Sequence, residues 1–263
     1  MVSRLTRKAR TARRVLKDEG IGGVGKVAFD HAKLKLDIYV RGRNRTVNLD
    51  GCNFALRELP ETNMKLELLN GGYEKPERFA ARKYIQPEWP VVELGGCIGV
   101  VACITNKLLQ NPKAHVVLEA NPMAVPYLEA NREANGCSFK IVNQAIAYDS
   151  DKVTFTPSLD FCGNSVDRNV STEVEVTVPA TQLSRILEDE QFQKYALICD
   201  IEGQEYELVM REAEAIRKAE VVIMEIHPHI IGEQETGALI SRLENLGFRI
   251  AEQSALVWVF SKN

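Results

Sequence analysis

From residue 89 onward, short apolar runs alternate with stretches whose apolar positions recur every three or four residues. The runs are 91–94, 115–118, 139–143, 195–199 and 221–226, and the helical stretches are 98–110, 123–135, 205–217 and 235–246. Buried strands alternating with helices predict an α/β fold, a Rossmann-like parallel sheet with helices on both faces. The last two runs, 248–251 and 256–260, flank a short turn around Gln253-Ser254. A parallel pair needs a crossover of a dozen or more residues, so these two are predicted to pair antiparallel, which gives the sheet one reversed strand.

Upstream the texture differs. Residues 33–40 alternate and are followed by Arg41-Gly42-Arg43-Asn44 and then Thr46-Val47-Asn48-Leu49, which predicts a β-hairpin with its turn at 41–44. A helix is predicted over 77–85, closed by Pro87. The chain therefore divides into an N-terminal helix and hairpin cap, residues 1–88, and a main domain, 89–263. Within the domain, residues 152–156 and 173–178 alternate like strands and enclose a long loop, 158–172. With the cap, that loop is where substrate choice is expected to lie.

Charge adds an asymmetry. The 263 residues carry a net charge of −3, yet residues 1–17 hold seven basic residues and no acid, which leaves the rest at −10. An acidic body repels phosphate, so nucleic acid is not the expected partner. Val2, Leu5, Ala9, Ala12 and Leu16 share one face of a predicted basic helix. Two readings stay open for it: peripheral contact with anionic lipid, or packing on the acidic body or on a second subunit of a homo-oligomer. No apolar run approaches the roughly 20 residues of a membrane span, and no cleavable leader follows the basic start. Six cysteines are scattered without a C-x-x-C pair, as expected of free thiols in a cytoplasmic protein.

The candidate chemistry sits at predicted strand ends, where ligands of open α/β sheets bind. Val91-Val92-Glu93-Leu94 leads into Gly95-Gly96-Cys97-Ile98-Gly99 and a helix. Glycines let the backbone come close to a ligand, and the helix start offers free N–H groups. Glu93, read as pointing into the crevice, repels a pyrophosphate and attracts the ammonium of a methionine moiety. That favours S-adenosylmethionine over a nicotinamide dinucleotide, and a sheet with one reversed strand fits the same donor. A literal G-x-G-x-x-G at 20–25 follows a charged helix instead of a strand and is read as a flexible joint. Glu119, 20 residues after Gly99, ends the second strand and is suited to the ribose hydroxyls of an adenosine. The third strand ends at Asn143-Gln144-Ala145, where an adenine edge is expected. The fourth ends in Asp200-Ile201-Glu202-Gly203, whose acids are candidates to steer a sulfonium, take a proton or, together, hold a divalent cation; metal dependence stays open. After the fifth, Glu225 and His227 project to one side, with His227 a candidate general base.

Taken together, Glu93-Leu94-Gly95-Gly96-Cys97-Ile98-Gly99, Leu118-Glu119-Ala120-Asn121-Pro122, Cys199-Asp200-Ile201-Glu202-Gly203-Gln204-Glu205 and Glu225-Ile226-His227-Pro228 resemble the FkbM-type methyltransferases, as does the upstream Gly72-Tyr73-Glu74. The resemblance spans about residues 70–260 and implies a class I methyltransferase fold with S-adenosylmethionine as donor. It also implies O-methylation of a sugar or natural-product small molecule. Carried over, Glu93, Gly95, Gly99 and Glu119 would bind the donor, Tyr73 and Glu74 would wall its pocket, and Asp200 and Glu202 would lie near the transferred methyl. Gly96, Asn121, Gln144, Ala145 and Asp200 stand as further candidates for the donor site, and His227 with Asp200 and Glu202 for catalysis, from their places at the strand ends. Three positions depart from the family's usual pattern: Glu93 replaces Asp, Cys97 replaces Asn and Ile198 replaces Lys. The competing readings are a nicotinamide-dependent oxidoreductase and a non-catalytic adaptor acting through residues 1–17. The glycine spacing and Glu93 weigh against the oxidoreductase.

Overall fold

The computed structural model describes residues 45–56, 59, 62–156 and 175–262. The basic segment 1–17, the 20–25 glycines, strand 33–40 and the loop 158–172 lie outside the described residues. Two short strands come first, β1 (Thr46–Leu49) and β2 (Cys52–Ala55), then helices α1 (Thr62–Leu69) and α2 (Lys75–Tyr84). The alternating part follows: β3 (Val91–Leu94), α3 (Val100–Leu108), β4 (His115–Leu118), α4 (Val125–Ala134), β5 (Lys140–Val142), β6 (Ala145–Ile146), β7 (Lys152–Phe155) and β8 (Val176–Thr181). It ends with α5 (Leu183–Asp189), β9 (Tyr195–Cys199), α6 (Glu205–Arg211), α7 (Ala213–Arg217), β10 (Ala219–Glu225), α8 (Pro228–Ile231), α9 (Glu233–Asn245), β11 (Arg249–Ser254) and β12 (Val257–Ser261).

Seven strands form the central sheet in the order β11-β12-β10-β9-β3-β4-β5. β3 pairs parallel with both β4 and β9, and β9 with β10, while β12 runs antiparallel to β10 and to β11. This is the expected class I methyltransferase sheet. The reversed strand is not at the rim: β12 is inserted between β10 and β11. The chain order turns back between β3 and β9, and that switch opens a crevice at the carboxyl ends of the strands.

Strand alternation distributes the core. Val92, Leu94, Leu197, Cys199, Val222 and Met224 face one layer, built from α5, α6, α7 and α9. Val91, Ala196, Ile198, Val221 and Ile223 face the other, where α2 supplies Ala80 and Ala81 and α3 supplies Val101. A third cluster joins Cys52, Phe54, Met64 and Leu68 to Ile98, Ala102, Ile104 and Leu128. Side chains from both sides of residue 88 therefore share one apolar cluster.

Thr46–Leu49 pairs with Cys52–Ala55, a hairpin that turns at Asp50-Gly51; the hairpin expected with its turn at 41–44 involves residues outside those described. Asp50 and Gly51 both have positive φ, 49° and 89°, as a two-residue hairpin turn requires, and Asp-Gly is a strong sequence signal for it. The helix expected over 205–217 is broken at Glu212, whose φ of −111° and ψ of 32° separate α6 from α7.

The hairpin turn also anchors α2. Arg78, almost fully buried, donates to Asp50, to the carbonyl of Gly71 at 2.7 Å and, through Nε, to the carbonyl of Tyr73 at 2.8 Å. Arg82 pairs with the other oxygen of Asp50. Asp50→Asn keeps a residue that tolerates positive φ but removes the charge, leaving a buried guanidinium short of its counter-ion. Chemical denaturation should show a loss of about 2–3 kcal/mol; an unchanged midpoint would mean that the pair does not hold α2.

Candidate active site

The glycine turn after β3 is shaped by the protein around it. Gly95 has φ of 92°, and a Cβ there would lie 1.8 Å from the carbonyl oxygen of Asp200. Gly96 is tight against Val117, and a Cβ on Gly99 would meet Leu128 at 2.5 Å. Only glycine lets this turn lie flat between the end of β9 and helix α4. Glu119, at the end of β4, clamps it from the far side. One carboxylate oxygen accepts the Cys97 N–H and the other the Asn121 N–H, each at 2.6 Å. The Asn121 side chain accepts the Met123 N–H at 3.0 Å, and the Tyr73 hydroxyl lies 3.3 Å from the Cys97 sulfur.

The same alternation that builds the core delivers acids to one face. Counting along β3, β9 and β10, the positions that share a face with Val91, Ala196 and Val221 lead to Glu93, Asp200 and Glu225 at the crevice end. Helix α2 covers that face and adds Glu74, its N-cap, and Glu77 from its first turn. The acids feel one another. Burial raises Glu77 to about 7, helped by Glu225, against the pull of its own backbone N–H and Arg78. Asp200 is raised well above the carboxylate range by burial and by Glu225, Glu202, Glu74 and Glu77. Glu74 is raised by burial, Glu77 and Glu93, partly offset by a hydrogen bond with Tyr73.

His227 stands at the mouth of this nest. Its Nδ1 is 3.0 Å from Oε1 of the fully buried Glu205, which also accepts the Gly203 N–H. Its Nε2 faces Glu202 at 3.6 Å, Glu225 at 3.7 Å and Asp200 at 3.8 Å. Burial lowers the imidazole pKa, but the bond to Glu205 and the charges of Glu205, Glu202 and Glu225 outweigh it, so the net shift is upward. Glu202 itself has φ of 50°, a left-handed conformation that turns the loop back at this point. Asp200, Glu202 and His227, singled out from the sequence, are thus brought together.

The sequence profile of the methyltransferase FkbM domain matches residues 93–250. The chain belongs to the FkbM methyltransferase family. No curated protein sequence matches the chain. Among solved structures, an O-methyltransferase from Bacillus cereus in complex with SAH is similar, with 14% identity, a TM-score of 0.46 and coverage of 71% of this chain and 80% of that one. A precorrin-6y C5,15-methyltransferase from Geobacter metallireducens has 11% identity, a TM-score of 0.42 and coverage of 71% and 87%. A ribosomal protein L11 methylase from Lactobacillus delbrueckii subsp. bulgaricus has 11% identity, a TM-score of 0.41 and coverage of 72% and 77%. Family membership removes the nicotinamide-dependent alternative.

In this FkbM methyltransferase two expected donor contacts sit differently. Glu93 is buried at 2% exposure in β3, with Oε2 3.4 Å from Nε2 of the fully buried His115. Burial raises Glu93 to about 8 and lowers His115 to about 3, so at neutral pH both are largely uncharged. It is not a free carboxylate at the rim, because α2 and α3 close over its face of the sheet. Ala145 lies buried in β6, paired with Ala180 of β8. β5 ends one residue before Asn143, whose amide donates to the carbonyl of Glu119 at 2.7 Å; Gln144 is half-buried beside that turn. The residues that the sequence reading did not single out are Glu77, Glu205 and His115. Glu205 closes the D-x-E-G-x-E run, and Glu77 follows Glu74 at helical spacing, so both left a signal.

Glu93 gives a pH test. Its folded pKa lies above its unfolded value, so the folded state holds the extra proton, and stability falls as pH rises from about 4.5 to about 8. Glu93→Gln removes that loss. Relative to wild type, the variant should gain on the order of 5 kcal/mol between those pH values. Denaturant unfolding at a series of pH values checks this; a difference independent of pH would show that Glu93 ionises as an exposed acid does.

Proposed function

We propose that this protein transfers a methyl group from S-adenosylmethionine to a hydroxyl of a sugar or natural-product small molecule. The observation that carries the reading is the convergence of Glu74, Asp200 and Glu225, with Glu93 buried behind them, beside a glycine turn clamped by Glu119. The residues fit the donor. Each oxygen of Glu119 spends one acceptor site on a backbone N–H, which leaves further lone pairs for two ribose hydroxyls. The acidic nest offers negative charge to an ammonium and a sulfonium, and cations favour ionised carboxyls over the protonated ones that burial produces. When bound, the donor supplies an electrophilic methyl; the chain's own contribution is placement, worth up to about 7–11 kcal/mol for well-aligned reactants.

Acceptor selection follows from the same charge. Glu202, Glu225 and Asp200 crowd the mouth, and phosphate-rich acceptors are repelled there. An uncharged hydroxyl is not, and its proton is taken by the Asp200–Glu202–His227 cluster, with Glu205 fixing which imidazole nitrogen faces the acceptor. Residues 1–17 are assigned to contact with membrane lipid, with the acidic body of the protein or with a second subunit, and the loop 158–172 to acceptor choice.

Two measurements test the reading. Calorimetric titration with S-adenosylmethionine should show Glu119→Ala weakening the donor at least about tenfold, the loss of one or two charge-assisted hydrogen bonds; wild-type affinity in that variant removes Glu119 from the donor site. Incubating the full chain with methyl-labelled donor and a panel of glycosides and hydroxylated natural products should yield a methyl ether by mass spectrometry. Label found only on nitrogen, carbon or RNA would overturn the acceptor assignment.

A further inference from the structure

The charges at the mouth of the crevice do not balance. Asp200, Glu202 and His227 each place a ligand-type atom within 4.8 Å of the other two, and Glu225 comes within 3.7 Å of the same imidazole nitrogen. Among the described residues no lysine or arginine pairs with any of these carboxylates. The nearby Arg78 is turned away to Asp50 and to two backbone carbonyls. One imidazole is left to face three acids, and like charges gathered this closely and half-buried are costly unless a cation joins them.

The geometry points to a divalent cation site formed by Asp200, Glu202 and His227, with Glu225 beside it. Three features independent of the acid count support it. First, His227 is only 4% exposed, and its Nε2 sits 3.6–3.8 Å from three carboxylate oxygens. That is too far for a direct bond, but close to the spacing of atoms that share an ion: ligands each about 2.1 Å from a metal stand about 3–3.5 Å apart at octahedral or tetrahedral angles. Second, Oδ1 of Asp200 is a buried oxygen with no hydrogen-bond partner. Third, Glu205 holds Nδ1 of His227, the carboxylate–histidine arrangement that fixes a metal-binding imidazole in the required tautomer and orientation. Carboxylates with a single imidazole suit Mn²⁺ or Mg²⁺ better than a thiolate-seeking metal.

An ion of six-fold coordination held by three or four of these groups would keep two or three positions for acceptor oxygens. The acceptor class this selects has two neighbouring oxygens, as in the vicinal diol of a sugar or a hydroxyl beside a carbonyl. This rests on the methyl-transfer reading for the acceptor alone; with an ion bound, the metal would acidify the acceptor hydroxyl, and its proton would pass to Glu225 beside the site or to solvent as the methyl moves from sulfur to oxygen, in place of direct transfer to Asp200, Glu202 or His227.

The test uses Mn²⁺ and the full chain, without donor or acceptor, so its outcome is separate from that of the donor titration. Electron paramagnetic resonance should show one saturable Mn²⁺ per chain, displaced by Mg²⁺. Glu202→Gln, at a half-exposed position, and His227→Ala should each weaken it at least about tenfold. Glu190→Gln, a surface acid paired with Lys140, should bind as wild type does. Circular dichroism of each variant verifies the fold, and Glu202→Gln decides the matter if His227→Ala unfolds. No saturable Mn²⁺, or equal binding in wild type and Glu202→Gln, overturns the site.

Discussion

Carboxyl groups crowded into a low-dielectric crevice repel one another, and the site is arranged around that repulsion. Glu74, Glu77, Glu93, Asp200 and Glu225 reach one end of one sheet face because strand alternation and the start of α2 put them there. Left alone, such a group answers burial by keeping its protons, and the upward shifts of Glu77, Glu93 and Asp200 are that answer. A cation entering the crevice reverses the balance. On the proposed reading the nest recognises charge, and a methyl donor that carries both an ammonium and a sulfonium matches it.

Rigid parts hold this unfavourable assembly in place. Gly95 lets the turn after β3 touch the Asp200 backbone, which joins the donor-side turn to the acid-bearing end of β9. Glu119 ties the turn to β4 by two short backbone hydrogen bonds, and Glu205 fixes His227 from a fully buried position. On the other side Asp50 secures Arg78, so that α2 can lay Glu74 and Glu77 over the sheet. Stability here is spent to keep acids where function needs them, a familiar exchange at functional sites.

The sheet was legible because its strands are short apolar runs separated by helical periodicity, and the reversed strand because the turn at 253–254 is too short for a crossover. The strand-end acids were legible for the same reason: a position one step past an apolar run is a crevice position. What escaped detection depends on distance in three dimensions. Nothing local to Glu93 says that α2 and α3 close over it, or that His115 lies beside it on the neighbouring strand. The hairpin of β1 with β2 was missed although Asp50-Gly51 carried a strong turn signal, because the alternating run at 33–40 drew attention as the partner of 46–49. The interruption at Glu212 has no glycine or proline to announce it. Ala145 was assigned to the crevice because β5 was extended past Val142, whereas the chain leaves the main sheet there for the β6-β8-β7 sheet.

The most direct measurement of the central claim is the proton count on donor binding. Calorimetric titration of the full chain with S-adenosylmethionine at pH 7, in buffers that differ in ionisation enthalpy, reads the protons exchanged per molecule bound. If buried carboxyls keep their protons until a cation arrives, binding releases protons into the buffer. Binding with no proton exchange, or with uptake, would contradict a crevice that recognises its donor by charge.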